Sequence, residues 1–212
     1  MGSWFRGQAI SNWELLPKAG RKTYYLPNNR DLGRFNDWEH QAIAYESLPK
    51  NRLEGLALAQ HHGLATRLLD WTKNPLVATY FAVCEEPKQD GAVYILDPLE
   101  KFVNQSTPFE NIGEYEGVVC FIPRAISTRV LNQQGMFTIH CPANHEIEVA
   151  KSRVNDTERN LIKLIIKNSM KKEVEKMLSD YGINHSSLFP DLDGLSNYKN
   201  RYTADMVRRR ST

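Results

Sequence analysis

The densest grouping of side chains able to do chemistry runs through Gln60-His61-His62-Gly63, Thr66-Arg67-Leu68-Leu69-Asp70-Trp71-Thr72 and Asn74-Pro75. Its neighbours are apolar, and a buried polar group without a partner costs about 1 to 3 kcal/mol, so a helix that only packs would carry Leu or Ala at Gln60 and His61. The stretch reads as a site. Asp70 and Thr72 are expected in a turn just before a helix begun by Asn74 and Pro75, where free backbone N–H groups and the positive end of the helix dipole favour an anionic ligand. A second grouping, Trp4-Phe5-Arg6-Gly7-Gln8, sets a cation on an apolar strand beside a glycine that permits close backbone approach.

Several of these residues carry two readings. His61 is either a ligand contact or a hydrogen-bonded core histidine that locks two elements, and His62 is a cap or an exposed neighbour. Adjacent helix positions point about 100 degrees apart, so this histidine pair is poorly placed to share one metal ion. Arg67 and Asp70 form either a buried ion pair that fixes the turn or part of the reacting machinery. Trp71 either packs in the core or stacks on a ligand ring. Asp191 and Asp193, in Phe189-Pro190-Asp191-Leu192-Asp193-Gly194, read as caps of a helix start, with cation binding as the other reading.

The elements that must position these groups follow from periodicity and punctuation. A strand is expected over 4–8 and a loop over 18–34. Helices are expected over 35–47, stopping before Pro49, and over 51–61, closed by Gly63. Next come a strand over 66–69 and a helix over 75–84 with a wide apolar face. Beyond Gly91 the pattern turns to short β runs at 92–96, 118–122, 136–141, 147–150 and 161–166, and a last helix over 170–181 is closed by Gly182. Helices flanking short mixed or antiparallel strands indicate an α+β fold. One domain over 1–212 is expected, with a core at about 4–198 and a solvated basic tail over 199–212 ending in Arg208-Arg209-Arg210.

Phe5-Arg6-Gly7-Gln8, Gln60-His61-His62-Gly63, Thr66-Arg67-Leu68-Leu69-Asp70-Trp71-Thr72, Gly182-Ile183 and Leu188-Phe189-Pro190-Asp191-Leu192-Asp193-Gly194-Leu195 together resemble the FRG domain family over nearly the whole chain. The order of the pieces is also similar to the ADP-ribosyltransferase plan. There an Arg on the first strand orients the dinucleotide, a Ser-Thr-Ser strand end precedes a helix with an Ala-x-x-Phe pattern, and a late Glu holds the ribose. The resemblance implies an ADP-ribosyltransferase-like fold with Arg6 in the first role and Thr72, ahead of Ala78-Thr79-Tyr80-Phe81, in the second. For the third, Gln134 comes first, with Glu146 and Glu148 as the alternatives.

What the resemblance implies is NAD, bound as a substrate, and either its cleavage or transfer of ADP-ribose to a protein or nucleic-acid acceptor, in a toxin or phage-defence setting. Arg6, Asp70, Thr72 and Gln134 would then be catalytic, while Arg6, Gln8, His61, Arg67 and Trp71 hold the dinucleotide. Breaking the nicotinamide–ribose bond builds an oxocarbenium-like centre, which calls for a planar cation on the pyrophosphate and acceptor groups near the ribose. Two other classes stay open: a non-catalytic module that senses a nucleotide or a partner, and a metal-dependent nuclease built on His61, Asp70, Asp191 and Asp193.

Composition narrows the setting. With 27 Lys and Arg against 25 Asp and Glu, the net charge of +2 gives no global pull toward nucleic acid. Cys84, Cys120 and Cys141 are odd in number and widely spaced, which fits a reducing cytoplasm, and Cys84 and Cys120 lie in apolar runs that read as packing. No apolar run approaches the roughly 20 residues of a membrane span. Walker loops, Gly-x-Gly-x-x-Gly fingerprints and Gly-x-Ser-x-Gly elbows are absent from the sequence. The start only a few residues before Arg6 leaves that edge for a partner domain or subunit.

Overall fold

The computed structural model describes residues 2–97, 102–104, 106–124, 128–147 and 161–210. In chain order the elements are β1 (Trp4–Gln8), α1 (Arg30–Ala42), α2 (Arg52–His61), β2 (Leu68–Thr72), α3 (Pro75–Val83), β3 (Gly91–Leu96), β4 (Phe102–Val103) and β5 (Gly117–Phe121). They continue with α4 (Thr128–Asn132), β6 (Gly135–Cys141), β7 (Leu161–Ile166), α5 (Asn168–Asp180), α6 (His185–Leu188) and α7 (Leu192–Arg210). Among the described residues seven strands form one sheet in the order β4-β5-β6-β2-β1-β3-β7, antiparallel except where β4 meets β5. The fold is a mixed α+β domain with helices flanking the sheet.

The sheet is unevenly stitched. β1 pairs with β3 through five residues, from Trp4↔Leu96 to Gln8↔Ala92, and β2 pairs with β6 through five, from Leu68↔Ile139 to Thr72↔Gly135. Between β1 and β2 only Phe5↔Thr72 is in register. The two halves of the sheet therefore meet at a single pair and fork beyond it, at Arg6 on one side and Asp70 on the other.

Local chemistry accounts for the helices beside the fork. Gly63, at φ +92°, adopts the left-handed conformation a helix end needs, and the N–H groups of Gly63 and Leu64 close back onto the carbonyls of Gln60 and Ala59. Asn74 caps α3 by accepting from the Leu76 N–H at 2.9 Å, with Pro75 at the first helical position. α3 lies so close to β1 that a Cβ on Gly7 would stand 1.8 Å from the Ala78 carbonyl oxygen. Val77, Ala78, Tyr80, Ala82 and Val83 then bury against Val93, Phe5 and Leu178.

The structure corrects several boundaries. The first long helix begins at Arg30 and ends at Ala42, ahead of the expected span, because Asp31 is drawn into its first turn and Ile43 and Tyr45 find no apolar surface beyond it. Thr66 is not strand: its hydroxyl accepts from the Leu68 N–H at 3.2 Å and turns the chain into β2. Asp70 and Thr72 lie within β2 and not in a turn, because β6 supplies a ladder partner for each. Ile147 stands outside any strand, and the rest of the expected 147–150 run lies outside the described residues. The stretch expected as a solvated tail is helical through residue 210, with Arg201 reaching back to the Cys84 carbonyl at 3.2 Å and to Glu175.

Candidate functional site

At the fork, the Arg6 guanidinium fills the gap that ladder bonds leave open. Its Nη1 donates to the Asp70 carbonyl at 2.7 Å and stands 3.7 Å from Asp70 Oδ2. The Arg6 side chain is 15% exposed and that of Asp70 63%. The cation is thus held within the fold while the carboxylate faces the open side. Arg6 Nε is buried without a partner, as is Gln8 Oε1 two residues along the same strand. Burial pushes the Arg6 pKa below its ordinary value, Asp70 opposing it. A buried donor left unpaired in this way is a ready contact for an anion.

Asp70 is oriented by a short relay from α2. Gln60 Nε2 donates to Asp70 Oδ1 at 2.7 Å, and the Thr66 hydroxyl donates to Gln60 Oε1. This explains a polar residue near the end of an otherwise apolar helix: Gln60 links that end to the fork. His61, next along and half-buried, packs edge-on against His62. Its pKa is lowered by burial and by Arg129, with Asp191 opposing.

Arg6, Gly7, Gln8 and Trp13 share a cavity of about 160 Å³ with Arg21, Phe81, Cys84, Glu85, His185 and Phe189. Its far wall comes from α6 and the residue that follows it. His185 stacks on Phe189 at 4.4 Å between ring centres, and the Arg129 guanidinium lies 4.5 Å from the same ring. Asp191 caps the start of α7, its Oδ1 accepting from the Gly194 N–H at 2.6 Å.

Other sequence candidates sit elsewhere. Arg67 is wholly buried and pairs with Asp31, not Asp70: Nε and Nη2 donate to its carboxylate at 2.8 and 2.7 Å, and Nη2 also reaches Asn29 at 3.0 Å. Burial works against the Arg67 charge, but the Asp31 hydrogen bonds outweigh it and the pKa rises. Trp71 is 2% exposed, inside the core. Its indole N–H donates to the Thr138 hydroxyl at 3.0 Å, which lies 3.0 Å from His140 Nε2. His140 Nδ1 is 2.6 Å from the His145 carbonyl, a geometry that suits the neutral tautomer with the proton on Nδ1.

The Thr72 hydroxyl donates to the Gln133 carbonyl at 2.6 Å and accepts from the Asn74 N–H at 3.0 Å. Gln134 is exposed in the turn before β6, at φ +47°, and its carbonyl accepts from Lys73. Neither lines the cavity at Arg6. Glu146 is exposed, and Glu148 lies outside the described residues. Among the described residues no three His, Cys, Asp or Glu side chains converge as a metal-ligand set.

Sequence reasoning singled out Gln60 as a polar residue of the site without naming its partner, and gave no role to Arg21, Arg129, His185 or Phe189. Gln60 carried a signal in its polarity on an apolar helix, and Phe189 lay in a quoted motif. Arg129 carried none.

Residues 2–91 of the chain match the family model of the FRG domain, from just before β1 to the first residue of β3. The match is shorter than the resemblance had implied. No curated protein and no solved structure matches the chain. No helix among the described residues is long and apolar enough to cross a membrane.

Proposed function

We propose that the FRG domain at residues 2–91 supplies one side of a dinucleotide cleft, and that the protein binds NAD there and cleaves it or transfers its ADP-ribose. The observation that carries this reading is the fork itself: a mostly buried guanidinium with an unpartnered Nε, set beside an exposed carboxylate that a second side chain orients. Arg6 would hold the pyrophosphate, a role that suits a planar donor fork. A cavity of about 160 Å³ takes only part of a dinucleotide, so the remainder would extend toward Asp70, which pairs with Arg6 but stands outside the cavity lining.

There Asp70 would stabilise the positive charge that grows at ribose C1′. The bond from C1′ to the nicotinamide nitrogen breaks with its electron pair moving to the ring, which leaves neutral. Water or an acceptor nucleophile adds to C1′, and its proton passes to the Asp70 carboxylate. The toxin or phage-defence setting and a cytoplasmic location rest on the family resemblance and on three widely spaced cysteines that fit no disulfide framework.

Nicotinamide release from NAD, followed by chromatography, tests the reading. Arg6→Gln should lower turnover roughly a hundredfold, the scale of losing one preorganised charge contact, with the melting temperature nearly unchanged. An unaltered rate would overturn it. A second reading, a non-catalytic nucleotide sensor, is favoured by the Thr72 hydroxyl, whose hydrogen bonds are taken by Gln133 and Asn74, and by the lack of charge at Gln134. Calorimetric binding of NAD with no product after long incubation would select the sensor.

A further inference from the structure

We infer that Arg129 is a second phosphate contact of the cleft, so that the site selects a diphosphate over a monophosphate; this rests on the nucleotide reading above. Arg129 lies well outside the segment that matches the FRG domain. Its guanidinium lies over the Phe189 ring, 4.5 Å from its centre; that ring lines the cavity together with Arg6, and Arg129 stands outside the lining. Stacking engages the face of a guanidinium and leaves its edge N–H groups free for an anion. Among the described residues the Arg129 guanidinium makes no hydrogen bond or ion pair, so those donors await a partner.

The position is held, not adventitious. At the end of α4, Asn132 Nδ2 donates to the Ser187 carbonyl at 3.0 Å and Gln133 Nε2 to the Leu188 carbonyl at 3.1 Å. The Gln133 carbonyl takes the Thr72 hydroxyl bond, tying the same turn to β2. Arg129 is therefore braced against both α6 and the strand that carries Asp70. Burial lowers its pKa while Asp70 and Asp191 oppose the shift, so its charge acts on the carboxylate that Arg6 also faces. Asp70 and Asp191 both act on Arg129, yet neither makes a hydrogen bond or ion pair with it, so its donors stay open to a ligand. A ligand with two adjacent phosphates engages both guanidinium groups; a ligand with one satisfies Arg6 alone.

The test is a titration ladder of adenosine, AMP, ADP and ADP-ribose against the full chain and its Arg129→Ala, Arg129→Lys and Phe189→Leu variants. The parent should prefer ADP to AMP by about tenfold, the size of one added charge-assisted contact. Arg129→Ala should erase that preference while AMP binding stays within about twofold, and Arg129→Lys should restore part of it. Phe189→Leu should weaken the preference through loss of positioning. An unchanged ADP to AMP ratio in Arg129→Ala overturns the inference, as does a parent that binds none of the four. Turnover lost in Arg6→Gln with that ratio intact sinks this inference alone. An Arg129-dependent ADP preference without NAD turnover upholds it and sinks the enzymatic reading.

Discussion

The packing of α3 on β1 makes a strong demand on Gly7, the glycine of the Phe-Arg-Gly run. In Gly7→Ala the new Cβ would stand 1.8 Å from the Ala78 carbonyl oxygen and 2.7 Å from the Ala82 nitrogen, where ordinary contact begins at 3.4 Å. Both atoms are helix backbone, so relief requires β1 and α3 to part by roughly 1.5 Å, which would open the cluster of Val77, Ala78, Ala82, Val93 and Leu178. We expect a loss of about 3 kcal/mol, the upper end of overpacking. For a chain of this size that lowers the melting temperature by about 6–12 °C.

Thermal and urea denaturation followed by circular dichroism would read the change. Gly91→Ala should behave alike, since its Cβ would meet the Ala82 carbonyl oxygen at 2.2 Å. Gly33, exposed on α1 with open space around it, is the control. Gly33→Ala should gain about 0.5–1 kcal/mol from helix propensity. A Gly7→Ala protein that melts with the parent, while Gly33→Ala behaves as expected, would refute the close approach. The same contrast separates the motif's glycine, which packs, from its arginine, which faces the cleft.

His140, buried under the Trp71–Thr138 relay, has its pKa pushed down to about 4 mainly by burial. The unfolded chain binds its proton near pH 6.5, so this histidine's contribution is full above that pH and is lost as pH falls to about 4, by about 3 kcal/mol. Urea midpoints from pH 7 to 4 should show the parent falling more steeply than His140→Gln; parallel curves would rule the assignment out. Asp31→Ala leaves the Arg67 guanidinium buried without its carboxylate and should cost about 3–5 kcal/mol. Asp31→Leu combined with Arg67→Met should return most of that, and equal losses in the two proteins by urea denaturation would contradict the clamp.

What could be read along the chain was what a few residues settle among themselves. Asn74 and Pro75 announce α3 because a cap and a fixed φ act within one turn. Gly63 and Gly182 close their helices for the same local reason. Short alternating runs gave β3, β5, β6 and β7 to within a residue or two, and Arg6 and Asp70 stood out because polar groups there violate the apolar pattern. The partners of those groups could not be read.

Arg67 answers Asp31, 36 positions away, because both are buried and each needs the other's charge. Asp70 and Thr72 became strand because β6, some 65 residues on, offers its ladder. Arg129, Phe189 and His185 line or brace the cavity only after α4 and α6 fold together beside β1. Caps and turns are satisfied within a turn of chain, whereas a sheet register, a buried ion pair and a cleft exist only once distant segments have excluded water between them.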